Sequence, residues 1–425
     1  MEHSRTVMLH TFVRVCHAWS PRQACLRNLA ATGACLSQAP SMAHRLASPL
    51  RPLNLRSTAS LRPLNVRSTV QPCSIQVGKP APPQGLEGQT KLGEMTAEFP
   101  IRIPGLAIGH ARDVDAKTGV SVFLFDPPAV AAGWLGGVAT STRQADALRP
   151  EHVVPAVDAF LFVGGSAYGL DATGGALSWL EAHGRGLTTR HGLVPVCPTA
   201  AIYDLGFGRG DLRPAAAMAA AACEAARSDA VAQGSVGAGT GATVGKLYGV
   251  AQAMKGGFGA ATAEEDELVV QAFVACNAFG DVVDPETGRI IAGARGHPTS
   301  FDFIDTARRL AEGERPSPFI KPRPENTVLT AVVANARLDK AQCQLAAKRA
   351  EDGIRAAVRP ALSPVDGDVV FLAATGAVQA DPEAVGRLAA CAVAQAIIAA
   401  VRHADGFGLV PAWRDREAAK ARDGA

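Results

Sequence analysis

Aromatic residues make up only 5% of this 425-residue chain, and just three are tyrosines. Hydrophobic residues still reach 48%, so the core must be built largely from Ala and Val, with elements packed closely. The nine cysteines, at 16, 25, 35, 73, 197, 223, 276, 343 and 391, are odd in number and contain no C-x-x-C. In so long a chain this argues against a disulfide framework and suits a reducing compartment such as the cytoplasm. The ten histidines form no H-E-x-x-H, so no zinc motif is present, and nothing in the sequence asks for a metal or a cofactor. No apolar run reaches the roughly 18 residues of a spanning helix, which gives no support to a membrane role.

A strong charge of one sign is also missing from most of the chain. Residues 1–95 hold 11 Lys/Arg and 3 Asp/Glu, a balance of +8, and the remainder hold 31 and 36, a balance of −5. A basic surface for nucleic acid on the folded part is therefore not expected. The leader carries an imperfect repeat, Arg51-Pro-Leu-Asn-Leu-Arg-Ser-Thr58 and Arg62-Pro-Leu-Asn-Val-Arg-Ser-Thr69, and then a Pro/Gly/Gln-rich stretch. Its composition cannot build a core. It reads as a disordered extension or as a start placed ahead of Met95. Arg-rich, acid-poor composition also suits a transit peptide.

Beyond residue 96 the texture is α/β. Buried strands are predicted at 119–126, 159–165, 268–277, 327–338 and 368–375, all rich in Val, Phe and Ala. Helices are predicted over the Ala-rich 214–229 and over 339–358, where Cys343, Leu345, Ala346, Ala350 and Ile354 fall near one face. A third, over 381–404, opens with Asp381-Pro382, an N-cap followed by Pro at the first helical position. Periodicity alone does not choose between a doubly wound sheet and a sandwich.

Gly-rich loops at 162–175 and 234–246 invite nucleotide and hydrolase motifs, and each motif fails on a required residue. A P-loop would need Gly where Thr240 stands and Ser or Thr where Leu247 stands. A nucleophile elbow at Ser166 would need Gly where Tyr168 stands. Chemistry concentrates instead where a charged, Pro-rich loop runs into an apolar strand at Pro324-Glu325-Asn326-Thr327-Val328. Farther on, Asp366-Gly367-Asp368 sets two carboxylates at i, i+2, on one face of an extended segment. Paired acids can orient hydrogen bonds and raise each other's pKa.

Taken together, PENTVLTAVVANARL, SPVDGDVVFLAATG, FVGGSAYGLDATGG, PTAAIYDLG and GAGTGATVGK resemble the DmpA-type aminopeptidases. That family includes the β-peptidyl aminopeptidases and the endo-type nylon-oligomer (6-aminohexanoate-oligomer) hydrolase. The resemblance covers about residues 99–415, with the blocks in the family's order. It implies an α-β-β-α sandwich of the DmpA/ornithine-acetyltransferase type, cut between Asn326 and Thr327. The larger chain would be 96–326 and the smaller 327–425, opening with Thr327 as nucleophile. It also implies roles for Lys246 beside the nucleophile's amine, Asn277 as an oxyanion donor, Tyr203 at the substrate, and Asp366 and Asp368 in the network around Thr327. Thr as nucleophile and Asp-Gly-Asp look like the nylon-oligomer branch, since the DmpA branch has Ser and Ser-x-Glu. A small peptide or amide substrate, no cofactor, and a homo-oligomer of cut heterodimers, a tetramer or larger, are the implied partners. Two alternatives stay open: an acyltransferase on the same scaffold, and a catalytically silent relative. Ser166 and Ser235 are the runner-up nucleophiles.

Overall fold

The computed structural model describes residues 97–314 and 325–423. The leader, the boundary expected at residue 95 and most of the Pro-rich loop lie outside these residues. Among the described residues nine strands form one sheet: β1 (Leu106–Asp113), β2 (Thr118–Leu135), β3 (Thr142–Arg143), β4 (Ala156–Val163), β5 (Thr199–Ala201), β6 (Gly257–Glu265), β7 (Leu268–Asn277), β8 (Thr327–Arg337) and β9 (Val369–Gln379). Their order is β6-β7-β8-β9-β2-β4-β5-β3, with β1 beside β2. Strands β7 and β8 are antiparallel, whereas β8 and β9 are parallel. Parallel neighbours need a crossover, and helix α3 (Lys340–Ala357) supplies it.

The sheet folds over itself. Phe258 of β6 and Phe123 of β2 are four strands apart, which in a flat sheet is roughly 19 Å. Their ring centroids are 6.3 Å apart, and those of Phe123 and Phe273 are 5.7 Å apart. The two halves therefore meet face to face over Phe123, Phe162, Phe258, Phe273 and Phe371. Few as they are, the phenylalanines are gathered where two inner faces need bulk. Along β2 the alternate residues Val120, Val122 and Leu124 point the other way, onto α1 (Thr173–Ala182) and α2 (Ala216–Glu224). On the far side, α3 and α4 (Pro382–Arg402) cover β6, β7, β9 and part of β2. The layers are α-β-β-α.

Small residues set the outer spacing. A Cβ on Gly353 of α3 would lie 2.2 Å from the Ala390 carbonyl of α4, and one on Gly259 of β6 would lie 2.1 Å from Ala396 O. Helix α3 opens on a capping box between Asp339 and Gln342, and α4 opens on the Asp381 cap with Pro382 at its start. By length and apolarity α4 could pass for a spanning helix, contrary to the sequence reading, but it is largely buried against the sheet.

Three further expectations need adjustment. Strand β2 continues past Asp126 to Leu135, because Pro127 and Pro128 fall at a register shift in its pairing with β4, where no ladder N–H is required. Helix α2 stops at Glu224 because the Arg227 backbone is claimed by Ile108 of β1 through N–H···O bonds of 2.8 and 3.0 Å. Leu345 is half-exposed rather than on the packed face of α3.

Candidate active site

The topology brings three strand ends together. Antiparallel pairing sets Asn277, the last residue of β7, directly opposite Thr327, the first of β8. Parallel pairing aligns Leu329 with Val369, and the same register extends back to an Asn326–Asp366 bridge. The Asp366-Gly367-Asp368 segment thus runs beside Asn326-Thr327. Asn326, Thr327, Asp366, Asp368 and Asn277 are all buried.

The Asn326 carbonyl is held from two sides. The Gly367 N–H donates to it at 2.8 Å, and the Thr327 hydroxyl lies 2.5 Å from the same oxygen. Gly367 is needed here because a Cβ would fall 2.9 Å from Thr327 Oγ1 and 2.4 Å from Ala139 O. Backbone N–H groups of Val138 and Ala139 donate to Asp366 O, and that of Gly137 donates to Asp368 O. Asp368 Oδ1 accepts the Val328 N–H at 2.7 Å, and Asp366 Oδ2 accepts the Ser363 N–H at 2.8 Å. Burial raises the pKa of both carboxyls, and for Asp368 the Asp366 charge adds to it.

Asn277 uses its whole side chain. Its Oδ1 accepts from Lys246 Nζ at 2.7 Å and from the Thr243 N–H at 3.0 Å. The orientation of the amide follows: with two donors facing Oδ1, Nδ2 must face acceptors. It donates to Tyr203 O at 2.9 Å and to Glu325 O at 3.3 Å. In the continuous chain, then, Asn277 holds the carbonyl one residue before Asn326, while Gly367 holds that of Asn326 itself.

Lys246 is positioned by the Gly-rich loop. Gly245 and Lys246 donate backbone N–H bonds to Gly280 O and Phe279 O, both at 2.9 Å. Gly245 has φ +72°, and a Cβ there would collide with the backbone of Ala294. Burial pushes the Lys246 amine down to about 7, against the pull of Asp366, Glu325 and Asp368. An amine titrating near neutrality can exchange a proton with a hydroxyl at physiological pH.

A cleft of about 250 Å³, counting its open mouth, is lined by Tyr203, Asp204, Phe207, Thr243, Lys246 and Glu325 among others. Every candidate taken from the motifs lies at this cleft or at the strand ends behind it, except the runner-up serines. Ser235 Oγ is tied to the backbone of Asp405, donating at 2.8 Å and accepting at 2.9 Å, and Ser166, with φ +54°, donates its backbone N–H to Ile202 O at 2.9 Å and does not line the cleft. Sequence reasoning missed Gly367, Glu325 and Asp204. Gly367 had a signal, as the residue between two acids. Asp204 accepts from Thr118 Oγ1 and the Gly165 N–H, both at 2.7 Å, a partnership that no local motif discloses.

A buried strand-initial Thr, paired across the ladder with the Asn277 that accepts from an amine of lowered pKa, in a two-sheet sandwich, is an arrangement that suits a hydrolase of the N-terminal-nucleophile class. The solved L-aminopeptidase D-Ala-esterase/amidase of Ochrobactrum anthropi, a variant of that fold, superposes with a TM-score of 0.58 at 15% identity, covering 78% of this chain and 96% of that one. The profile of Peptidase family S58 matches residues 101–409, and the chain belongs to that family. It hydrolyses peptide or amide bonds. An uncharacterized aminopeptidase of Mycobacterium tuberculosis is 36% identical over 346 residues, 74% of this chain and 96% of that protein. The 6-aminohexanoate-oligomer endohydrolase of Paenarthrobacter ureafaciens is 28% identical over 282 residues, 64% of this chain and 73% of that protein.

Proposed function

We propose that this protein matures by cutting itself between Asn326 and Thr327 and then hydrolyses small peptides or oligoamides through an acyl-enzyme on Thr327. The observation that carries this reading is the Thr327 hydroxyl 2.5 Å from the Asn326 carbonyl oxygen, with the Gly367 N–H on that same oxygen. In the first step Thr327 Oγ1 attacks the Asn326 carbonyl carbon and the displaced electron pair moves to the oxygen. The C–N bond then breaks, the nitrogen takes up the hydroxyl proton, and Asn326 is left as an ester on Thr327. Water hydrolyses the ester to an Asn326 carboxylate and a free hydroxyl. Thr327 now carries an α-amine as well, with an ordinary pKa of about 7.7–8.0, suited to act as base for the same hydroxyl. Lys246 and Asn277 hold the proton-transfer side of the site, and Asp366 and Asp368 fix the strand entry opposite.

Intact-mass analysis tests the proposal. The expected C-terminal fragment has 425 − 326 = 99 residues and begins Thr-Val-Leu-Thr. A chain that stays whole through prolonged incubation overturns it. The same reading takes the protein to be a homo-oligomer of cut heterodimers, a tetramer or larger. The exposed Leu135 and Val138 at the rim of the site support this. Light scattering showing a monomer at micromolar concentration would remove it.

A further inference from the structure

Helix α3 buries an acid that the reaction steps leave unused. Glu351 is 7% exposed and faces the end of strand β2. Its Oε1 accepts the Trp134 Nε1–H at 2.9 Å, and its Oε2 accepts from Arg355 at 2.7 Å. Trp134 is the last residue but one of β2 and pairs with Val370 of β9. Strand β2 ends at Leu135, and the chain continues as a strap, Gly136-Gly137-Val138-Ala139. Gly136 lies against the Glu351 carboxylate, where a Cβ would fall 1.6 Å from Oε1. The strap aims the donor on the scissile carbonyl. The Val138 and Ala139 N–H groups both donate to Asp366 O at 3.1 Å, and Gly137 N–H donates to Asp368 O at 2.9 Å. The Asp366 carbonyl and the Gly367 N–H belong to one planar peptide unit. Holding the carbonyl on one side therefore sets the direction of the N–H on the other, which donates to Asn326 O at 2.8 Å. Val138 is 77% exposed, and two consecutive glycines give the strap backbone wide freedom. It is tied at the site by these three N–H bonds, and at the β2 end by the Trp134 side chain on Glu351.

We infer that Glu351 is a positioning residue for the scissile bond: through Trp134 it seats the strap, and the strap orients the Gly367 N–H toward the carbonyl under attack. This rests on Thr327 attacking the Asn326 carbonyl.

Self-cleavage of the full chain after cell-free synthesis gives two separate readouts, a first-order rate constant and a final cut fraction. A merely structural role for Glu351 would lower the fraction that folds and cuts, not the rate constant of the molecules that do. Glu351→Met and Trp134→Phe each remove the hydrogen bond and are expected to lower the rate constant about tenfold, the worth of one hydrogen bond to a charged group. The double variant should be no slower than either single one, since both break the same bond. Glu351→Gln keeps an oxygen for Trp134 and is expected to restore the rate constant to within about threefold of wild type. A wild-type rate constant in either single variant, with only the cut fraction reduced, overturns the inference. So does a Gln variant as slow as the Met one, which puts the effect in the charge and not in the bond. If Glu351→Met does not fold, Trp134→Phe decides by the same criterion. A wild-type chain that never cuts removes the self-cleavage reading and the inference with it, whereas wild-type cutting with unaffected variants removes the inference alone.

Discussion

Two lysines stand at the two ends of one Gly-rich hairpin and differ in almost everything except their lowered pKa. Lys255 pairs with Thr243 in the hairpin ladder and is fully buried. Its ammonium donates to Gly239 O at 3.0 Å, Ala242 O at 2.8 Å and Gly256 O at 3.0 Å. Three N–H bonds meet three carbonyls, and a neutral amine would leave one of them empty. Lys246 donates only to Asn277, through O and Oδ1, and faces the cleft. Burial lowers both amines to about 7. A depressed pKa is therefore no mark of function by itself. Lys255 is a clamp closing the loop's carbonyls, whereas Lys246 has spare proton capacity at a solvent-reachable site.

The largest effect should come from the nucleophile itself. Thr327→Ala is expected to abolish both the cut and turnover, and Thr327→Ser to retain both at altered rates. The cleaved fraction by gel, with turnover normalised to it, measures this, and near-normal turnover by the Ala variant would refute the nucleophile assignment.

Replacing the clefted lysine comes next. Lys246→Met should slow self-cleavage and turnover by about 10²–10⁴-fold, the usual range for losing a proton-transfer group, with little change in melting temperature. The wild-type rate of self-cleavage, before Thr327 has a free amine, should also fall about tenfold per pH unit below about 7, where Lys246 takes up its proton and can no longer accept one from a hydroxyl. A flat profile from pH 5 to 8 would assign the proton transfer to another group.

Lys255→Met should do the reverse. It leaves three buried carbonyls without a donor and should lower stability by on the order of 3 kcal/mol, while rates per folded molecule change little. Equal melting temperatures for the two lysine variants would dissolve the contrast between clamp and catalyst. Smallest of all should be the effect of Asn326→Ala. Asn326 leaves as a chain end, so maturation slows modestly and turnover per cut chain stays within about twofold, within the range expected of a residue outside the mature site.

Much of this was legible in the chain. Strands β7 and β8, with their ends at Asn277 and Thr327, follow from short Val- and Ala-rich runs bounded by polar residues, because a strand buried on both faces has no choice but to be apolar. The caps at Asp339 and Asp381 are local hydrogen bonds and so are visible locally. Gly367 was legible only as a spacer between acids. That its N–H meets the Asn326 carbonyl depends on β8 and β9 being parallel and in one register, which rests on the α3 crossover, residues 338–368. Leu345 was misplaced because a helical face widens or narrows with what packs on it, and α4 covers α3 through small residues that leave Leu345 outside.

What the sequence by itself determined is the set of reactive groups and the stretches of chain that carry them: a Thr heading an apolar strand, a Lys closing a Gly-rich loop, two acids around a glycine. Only the tertiary structure decided which donor meets which carbonyl, and which of two lysines of similarly lowered pKa keeps a proton free to move. Those choices depend on non-local register and burial. A hydrogen bond is worth making only within a few tenths of an ångström of its best distance, and that precision exists only after the sheet has folded over its phenylalanines and fixed the three strand ends together.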